Sequence, residues 1–390
     1  MFQYRFSRQP LARELADELL GKKEKIVPGD RRLSVNPSSG TFLNAPRRTG
    51  KTTFLRQDLL PVLDALGIPA IYVDLWEDKT RNPAELIADA VRSKLRDFDG
   101  WIKKFAKGAA LQKIGVGTFS FDVEKALSAE GVTLSKVLQE LAEKSPHKKI
   151  AVIVDEAQHA LTTTEGESAM FALKAARDAL NTDPANPRLV LLCTGSSRSR
   201  LGYLLQSKEH PFFGSKLRAF PTLGQDFIDG LTSHINSRIE GMKKVDSKGL
   251  EKAFGQLWTR PELLLSVIGE AFIDTKQGGD PNIVIAEKAD GERNGLLGNL
   301  SKQFHSLSPI QQAVLRRLLD DEERFEPYSS TSMDEYRKRV PGDLGASAVQ
   351  NALDELVKRE IVWQSRRGGY HIDDPMWLDW YEFDTQAGSA

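Results

Sequence analysis

Eight consecutive residues carry the clearest chemistry in the chain: Ala45-Pro46-Arg47-Arg48-Thr49-Gly50-Lys51-Thr52. The last three fit the end of the P-loop pattern Gly-x4-Gly-Lys-[Ser/Thr], with Ala45 at the first glycine position. Each residue type has a physical task there. Gly50 lets the backbone turn so that its amides face a phosphate. Lys51 sets a cation against the β- and γ-phosphates. Thr52 offers a hydroxyl to Mg²⁺, and the helix that follows points its positive end at the anion. With Thr53, the next helical residue, the expected phosphate-binding set is Ala45 to Thr53, and the expected cofactors are ATP and Mg²⁺. Arg47 and Arg48 are expected to point to solvent or to a partner.

A loop of this kind needs an acidic strand end to hold the metal's surroundings. Ile150-Ala-Val-Ile-Val-Asp155-Glu156 supplies one, 104 positions after Lys51. Asp155 is expected to orient Mg²⁺, making Thr52 and Asp155 the metal-site pair. Glu156 is placed to polarise the attacking water as general base. A further strand, Leu189 to Cys193, ends in Thr194-Gly195-Ser196-Ser197. Inserted between the other two strands, it brings Thr194 or Ser196 near the γ-phosphate. Arg218 and Arg260 are the arginines placed to stabilise charge on a transferring phosphoryl group. Cys193 reads as a buried core thiol.

These residues need a scaffold of alternating strands and helices. A helix is expected over 9–21 and a strand over 40–44. A helix from 52 to 66 closes at Gly67, a strand runs over 69–76, and a helix over 82–98. Further on come a helix (132–144), the strand 149–155, a helix (168–181) and the strand 188–194. Continuous apolar cores such as Ile-Ala-Val-Ile-Val predict strands buried on both faces of a parallel sheet. Residues 112–122 alternate and read as a small hairpin or extended insertion. After about 225 the strands stop: 225–241 and 247–275 have helical pattern, and a break is expected within 276–295. Helices over 309–321, 332–340 and 347–359, then two extended runs around Arg366-Arg367-Gly368-Gly369, suggest a winged helix-turn-helix. The predicted class is α/β: a P-loop NTPase core (1–222), a helical lid (223–295) and a winged-helix-like domain (296–390).

Composition narrows the function. Fifty-four basic residues balance fifty-four acidic ones, so no global basic field draws in nucleic acid. The single cysteine excludes an internal disulfide framework and fits a reducing cytoplasm. The longest apolar runs are strand length, too short for a membrane span. No Cys/His pair has zinc-ligand spacing.

The chain resembles the AAA+-like archaeal ATPase group related to the STAND NTPases. The resemblance rests on Ala-Pro-Arg-Arg-Thr-Gly-Lys-Thr-Thr, Val-Asp-Glu-Ala-Gln, Leu-Cys-Thr-Gly-Ser-Ser, Arg-Pro-Glu-Leu-Leu and the ending Tyr370-His-Ile-Asp-Asp-Pro-Met-Trp-Leu-Asp-Trp380. It runs over most of the chain, in the order P-loop core, helical lid, winged helix. It implies a sensor role for Arg260 in the lid. Relatives often carry Gly-Arg where this chain has Gly214-Ser215, which leaves any finger role to Arg218.

The winged-helix region does not read as a DNA-binding face. From residue 305 onward it holds 10 Lys+Arg against 16 Asp+Glu. Phosphate contacts supply most non-specific DNA affinity, so a protein partner or self-association is the expectation and DNA is disfavoured. Three functions are weighed. The first is an ATP-hydrolysing switch whose nucleotide state is coupled to the lid and C-terminal domain. The second is a DNA-associated ATPase of the transposition or replication type. The third is a nucleotide-binding scaffold with little hydrolysis.

Overall fold

The computed structural model describes residues 4–22, 38–96, 133–145, 147–184, 186–206, 208–241, 243–275, 279–342, 344–364 and 369–387. The expected hairpin at 112–122 and the wing arginines at 366–367 lie outside the described residues. The chain divides into two units. One is Ser7–Ala45 with Lys51–Phe220; the other is Met1–Phe6, Pro46–Gly50 and Pro221–Ala390.

The first unit is built on five parallel strands: β1 (Thr41–Asn44), β2 (Ala70–Asp74), β3 (Ile150–Asp155), β4 (Leu189–Gly195) and β5 (Leu217–Ala219), in the spatial order β2-β3-β4-β1-β5. Successive strand residues face opposite sides of a sheet, and both central strands are apolar on both. Ile150, Val152 and Val154 of β3, with Leu189, Leu191 and Cys193 of β4, enter one core. Helices α3 (Pro83–Arg96), α4 (Leu134–Lys144), α5 (Thr164–Leu180) and α6 (Arg198–Gln206) contribute to that core. Ala151, Ile153, Val190 and Leu192 enter the opposite core, with α1 (Gln9–Leu19) and α2. Helix α2 is one helical run: Lys51–Phe54, a π-turn Leu55–Leu59, then Leu60–Ala65. Burying side chains on both faces is what a continuous apolar strand demands.

The strand β5 was not among the four expected. It has three residues, and charged Arg218 at its centre gives no apolar signal. Its pairing with β1, Leu43 opposite Arg218, comes from tertiary context.

The second unit contains helices α7 (Gln225–Asn236), α8 (Ser247–Gln256), α9 (Pro261–Asp274), α10 (Pro281–His305), α11 (Pro309–Asp320), α12 (Ser330–Arg339), α13 (Ala346–Lys358) and α14 (Met376–Ala387), with the antiparallel ribbon β6 (Val362–Gln364) and β7 (Tyr370–Ile372). Two expectations are corrected. The helical run 247–275 is two helices, because Trp258 and Thr259 both take left-handed backbone (φ 53°) before Pro261 starts α9. The lid boundary expected after 295 falls inside α10, which runs unbroken through Gly291 and Gly295. That helix serves two cores: Ile285 and Ala289 pack with α7–α9, while Leu297 and Phe304 pack with α11, α13, α14 and the ribbon. Burial at both ends outweighs the helix-weakening glycines. Helices α11, α12 and α13 are followed by the ribbon β6–β7.

Candidate functional site

All strands of the sheet are parallel, so the C-terminal ends of β1, β4 and β3 lie along one edge, with β4 between the other two. Ligand crevices in open α/β sheets form at this edge. The cradle follows β1 directly. Gly50 has φ 88°, a left-handed conformation that a side chain disfavours. The Thr49 hydroxyl donates to the Pro46 carbonyl at 2.8 Å and ties the turn. Lys51 is buried, its Nζ 3.3 Å from both the Ala45 carbonyl and Glu156 Oε1. Arg47 and Arg48 have side chains 56% and 51% exposed and lie 3.7 Å from Glu360 and Glu262. Ala45 is buried and Thr53 is exposed on the first turn of α2.

Asp155 closes β3 with no exposed surface. Three hydroxyls meet it: Thr52 at 2.6 Å and Tyr72 at 3.2 Å on Oδ2, and Thr194 on Oδ1. Tyr72 was not foreseen, because a tyrosine inside a β2 strand reads as packing. Burial first, then the negative charge of Asp155, pushes the Tyr72 hydroxyl well above its ordinary range, so it stays protonated and donates to Asp155. Arg56 of α2 stacks over the same ring, 5.1 Å from its centre.

Glu156 takes left-handed backbone (φ 52°, ψ 42°), uncommon for a residue with a side chain. A 3₁₀ turn, Ala157–Thr162, follows it. Burial alone would raise its carboxyl. The Lys51 ammonium and hydrogen bonds from Ser196 and Gln158 outweigh that and hold it below the usual carboxylate value. Lys51, Thr52, Asp155, Glu156 and Thr194, picked out singly in sequence, therefore form one connected cluster.

Neither arginine shares a hydrogen bond with these five residues. Arg218 lies half-buried on β5, where desolvation lowers its pKa and the charge of Glu18 of α1 opposes that shift. Arg260 belongs to the other unit and is bound to Asp374 at 2.6 Å. Cys193 is buried, and desolvation drives its thiol pKa far upward. Among the described residues, no group of three or more His, Cys, Asp or Glu side chains makes a metal cage. The oxygens around Asp155 do fit Mg²⁺, which takes hard oxygen ligands, is commonly held by one or two carboxylates, and completes its shell from water and substrate phosphate.

Two solved structures share this architecture. The Walker-type ATPase PABY2304 of Pyrococcus abyssi matches with a TM-score of 0.54 and 20% identity, over 97% of this chain and 96% of that one. The Aeropyrum pernix ORC2 protein in its ADP form matches with a TM-score of 0.54 and 13% identity, over 95% and 98%. The fold is that of a P-loop ATPase. At these identities the likeness is one of fold. No family model matches the chain, and no curated protein does. No helix among the described residues is long and apolar enough to cross a membrane.

Proposed function

We propose that this chain binds Mg-ATP at the cradle Ala45–Thr53 and hydrolyses it, acting as a switch whose nucleotide state sets the state of the helical unit. One observation carries the reading: Lys51, Thr52, Asp155, Glu156 and Thr194 converge on a single hydrogen-bonded cluster at the strand ends. Thr52 and Asp155 would hold Mg²⁺, which would supply charge neutralisation on the phosphate oxygens. Lys51 exchanges Glu156 for the β- and γ-phosphates. Glu156 then accepts a proton from water as the water oxygen bonds to the γ-phosphorus and the bond to the bridging oxygen breaks, releasing ADP and phosphate. Thr194 acts through Asp155, whose carboxylate it holds. Arg260 remains the proposed nucleotide-sensing arginine, with guanidinium donors beyond the one that Asp374 takes. We assign no step to Arg218. The reading places the protein in the cytoplasm, with a protein partner or a second copy of the chain.

Glu156→Gln tests it. The variant is expected to keep ATP affinity and to release phosphate roughly 10²–10⁴-fold more slowly than wild type. Wild-type turnover in Glu156→Gln removes the base; absent turnover in the wild-type protein leaves the scaffold reading. Salt-dependent binding of duplex DNA would favour the DNA-associated alternative, against which the acidic balance after residue 305 stands.

A further inference from the structure

Glu156 presents two unlike oxygens. Oε1 faces Lys51, the phosphate-binding side. Oε2 is surrounded by donors: the Ser196 amide at 3.1 Å, the Ser196 hydroxyl at 2.6 Å, and the Gln158 side-chain amide. Gln158 also donates to the Ser196 hydroxyl oxygen at 3.3 Å, closing a three-residue ring. A carboxylate only accepts, which fixes the orientation of the Gln158 amide with its nitrogen inward. Its Oε1 is then left buried without a partner.

Gln158 is only 3% exposed, and the backbone makes room for it. A Cβ on Gly195 would stand 2.3 Å from Gln158 Oε1, so β4 can end in glycine alone if this amide is to lie there. A buried amide with an unpaired oxygen costs free energy. So does a left-handed glutamate. Both are retained at one carboxylate.

We propose that Gln158 and Ser196 are positioning residues for hydrolysis: they anchor Oε2 of Glu156 so that Oε1 alone is left to meet the attacking water once Lys51 turns to phosphate. This rests on the reading of Glu156 as the base. Misplacing a reacting group by about 1 Å can cost on the order of 10²-fold in rate.

The test is full-length Gln158→Ala and Ser196→Ala, each made in wild-type and Glu156→Gln backgrounds. ATP affinity and single-turnover phosphate release are measured for all. In the wild-type background each variant is expected to lose about tenfold or more in turnover while ATP affinity stays within about threefold, and Ser196→Thr is expected to restore turnover. In the Glu156→Gln background neither change is expected to slow the residual rate further. An equal loss in both backgrounds, a loss of affinity that matches the loss of rate, or faster turnover in either alanine variant overturns the assignment. Glu156→Gln turning over like wild type, or wild type releasing no phosphate, overturns the hydrolysis reading itself and the assignment with it.

Discussion

Two ion pairs with a buried cation, one in each unit, are built differently. Lys51 and Glu156 have side chains 5% and 13% exposed, and Glu156 is bonded at both oxygens. Arg260 and Asp374 are 10% and 35% exposed, and Arg260 Nε is buried with no partner. On the proposed reading, a phosphate arriving at Lys51 releases a carboxylate whose other oxygen stays held by Ser196. The second pair joins the start of α9 to the turn before α14, where Asp374 also accepts from the Met376 amide at 3.0 Å. The first is arranged for exchange and the second as a joint.

The largest effect that can break this comparison comes from Lys51→Ala. It removes the cation the phosphates need and leaves Glu156 buried without its counter-charge. Mg-ATP binding, followed by calorimetry, is expected to disappear. Unchanged affinity would mean that Lys51 serves Glu156 rather than nucleotide, and the exchange picture would be lost.

The two pairs also differed in how far they were legible in the sequence. Lys51, Thr52, Asp155 and Glu156 stand in short motifs whose residue types follow from phosphate chemistry, and the apolar runs before them fix which strands carry them. What the motifs did not disclose was the surrounding shell: Tyr72 on a neighbouring strand, Gln158 on a 3₁₀ turn, and the missing side chain at Gly195. Those contacts depend on register and on space, which local pattern does not encode. Arg260 and Asp374 are 114 positions apart. Each belonged to a stretch that carried the family resemblance, yet nothing local says the two touch. The ending from Tyr370 to Trp380 supplies core residues: Tyr370, Ile372, Trp377 and Trp380 are buried together. The break read within 276–295 does fall before Pro281, but helix α10 was missed because Gly291 read as part of it, while the helix's stability comes from the two cores it bridges.

Asp374→Ala sharpens the joint. It strands a buried guanidinium and removes the contact to the Met376 amide. Breaking a fully buried pair costs roughly 3–5 kcal/mol; Asp374 is about a third exposed, so solvent screening brings the expectation down to about 1–3 kcal/mol. Four of the six tryptophans (258, 363, 377 and 380) lie in this unit, so emission during urea unfolding reports it directly. The paired change Arg260→Met with Asp374→Leu is expected to recover most of the loss, since apolar residues of similar volume often replace a buried pair without cost. An Asp374→Ala transition coincident with wild type would remove the joint.

The smallest effect is expected from Arg293→Ala. Arg293 of α10 lies 3.3 Å from Asp379 of α14, with side chains 28% and 40% exposed. The same two helices are already held by Trp380, whose indole donates to the Ser301 hydroxyl at 2.7 Å and whose ring packs on Phe304. The ion pair therefore adds to a contact that burial has fixed, and an exposed pair of this kind is worth about 0.2–1 kcal/mol. Salt separates it from the joint. At about 1 M the screening length falls to roughly 3 Å, so the unfolding curves of wild type and Arg293→Ala are expected to converge while that of Asp374→Ala stays displaced. If Asp374→Ala converges as well, its partner is solvated in solution, and the contrast between an exchangeable pair and a fixed one fails on the side of the joint.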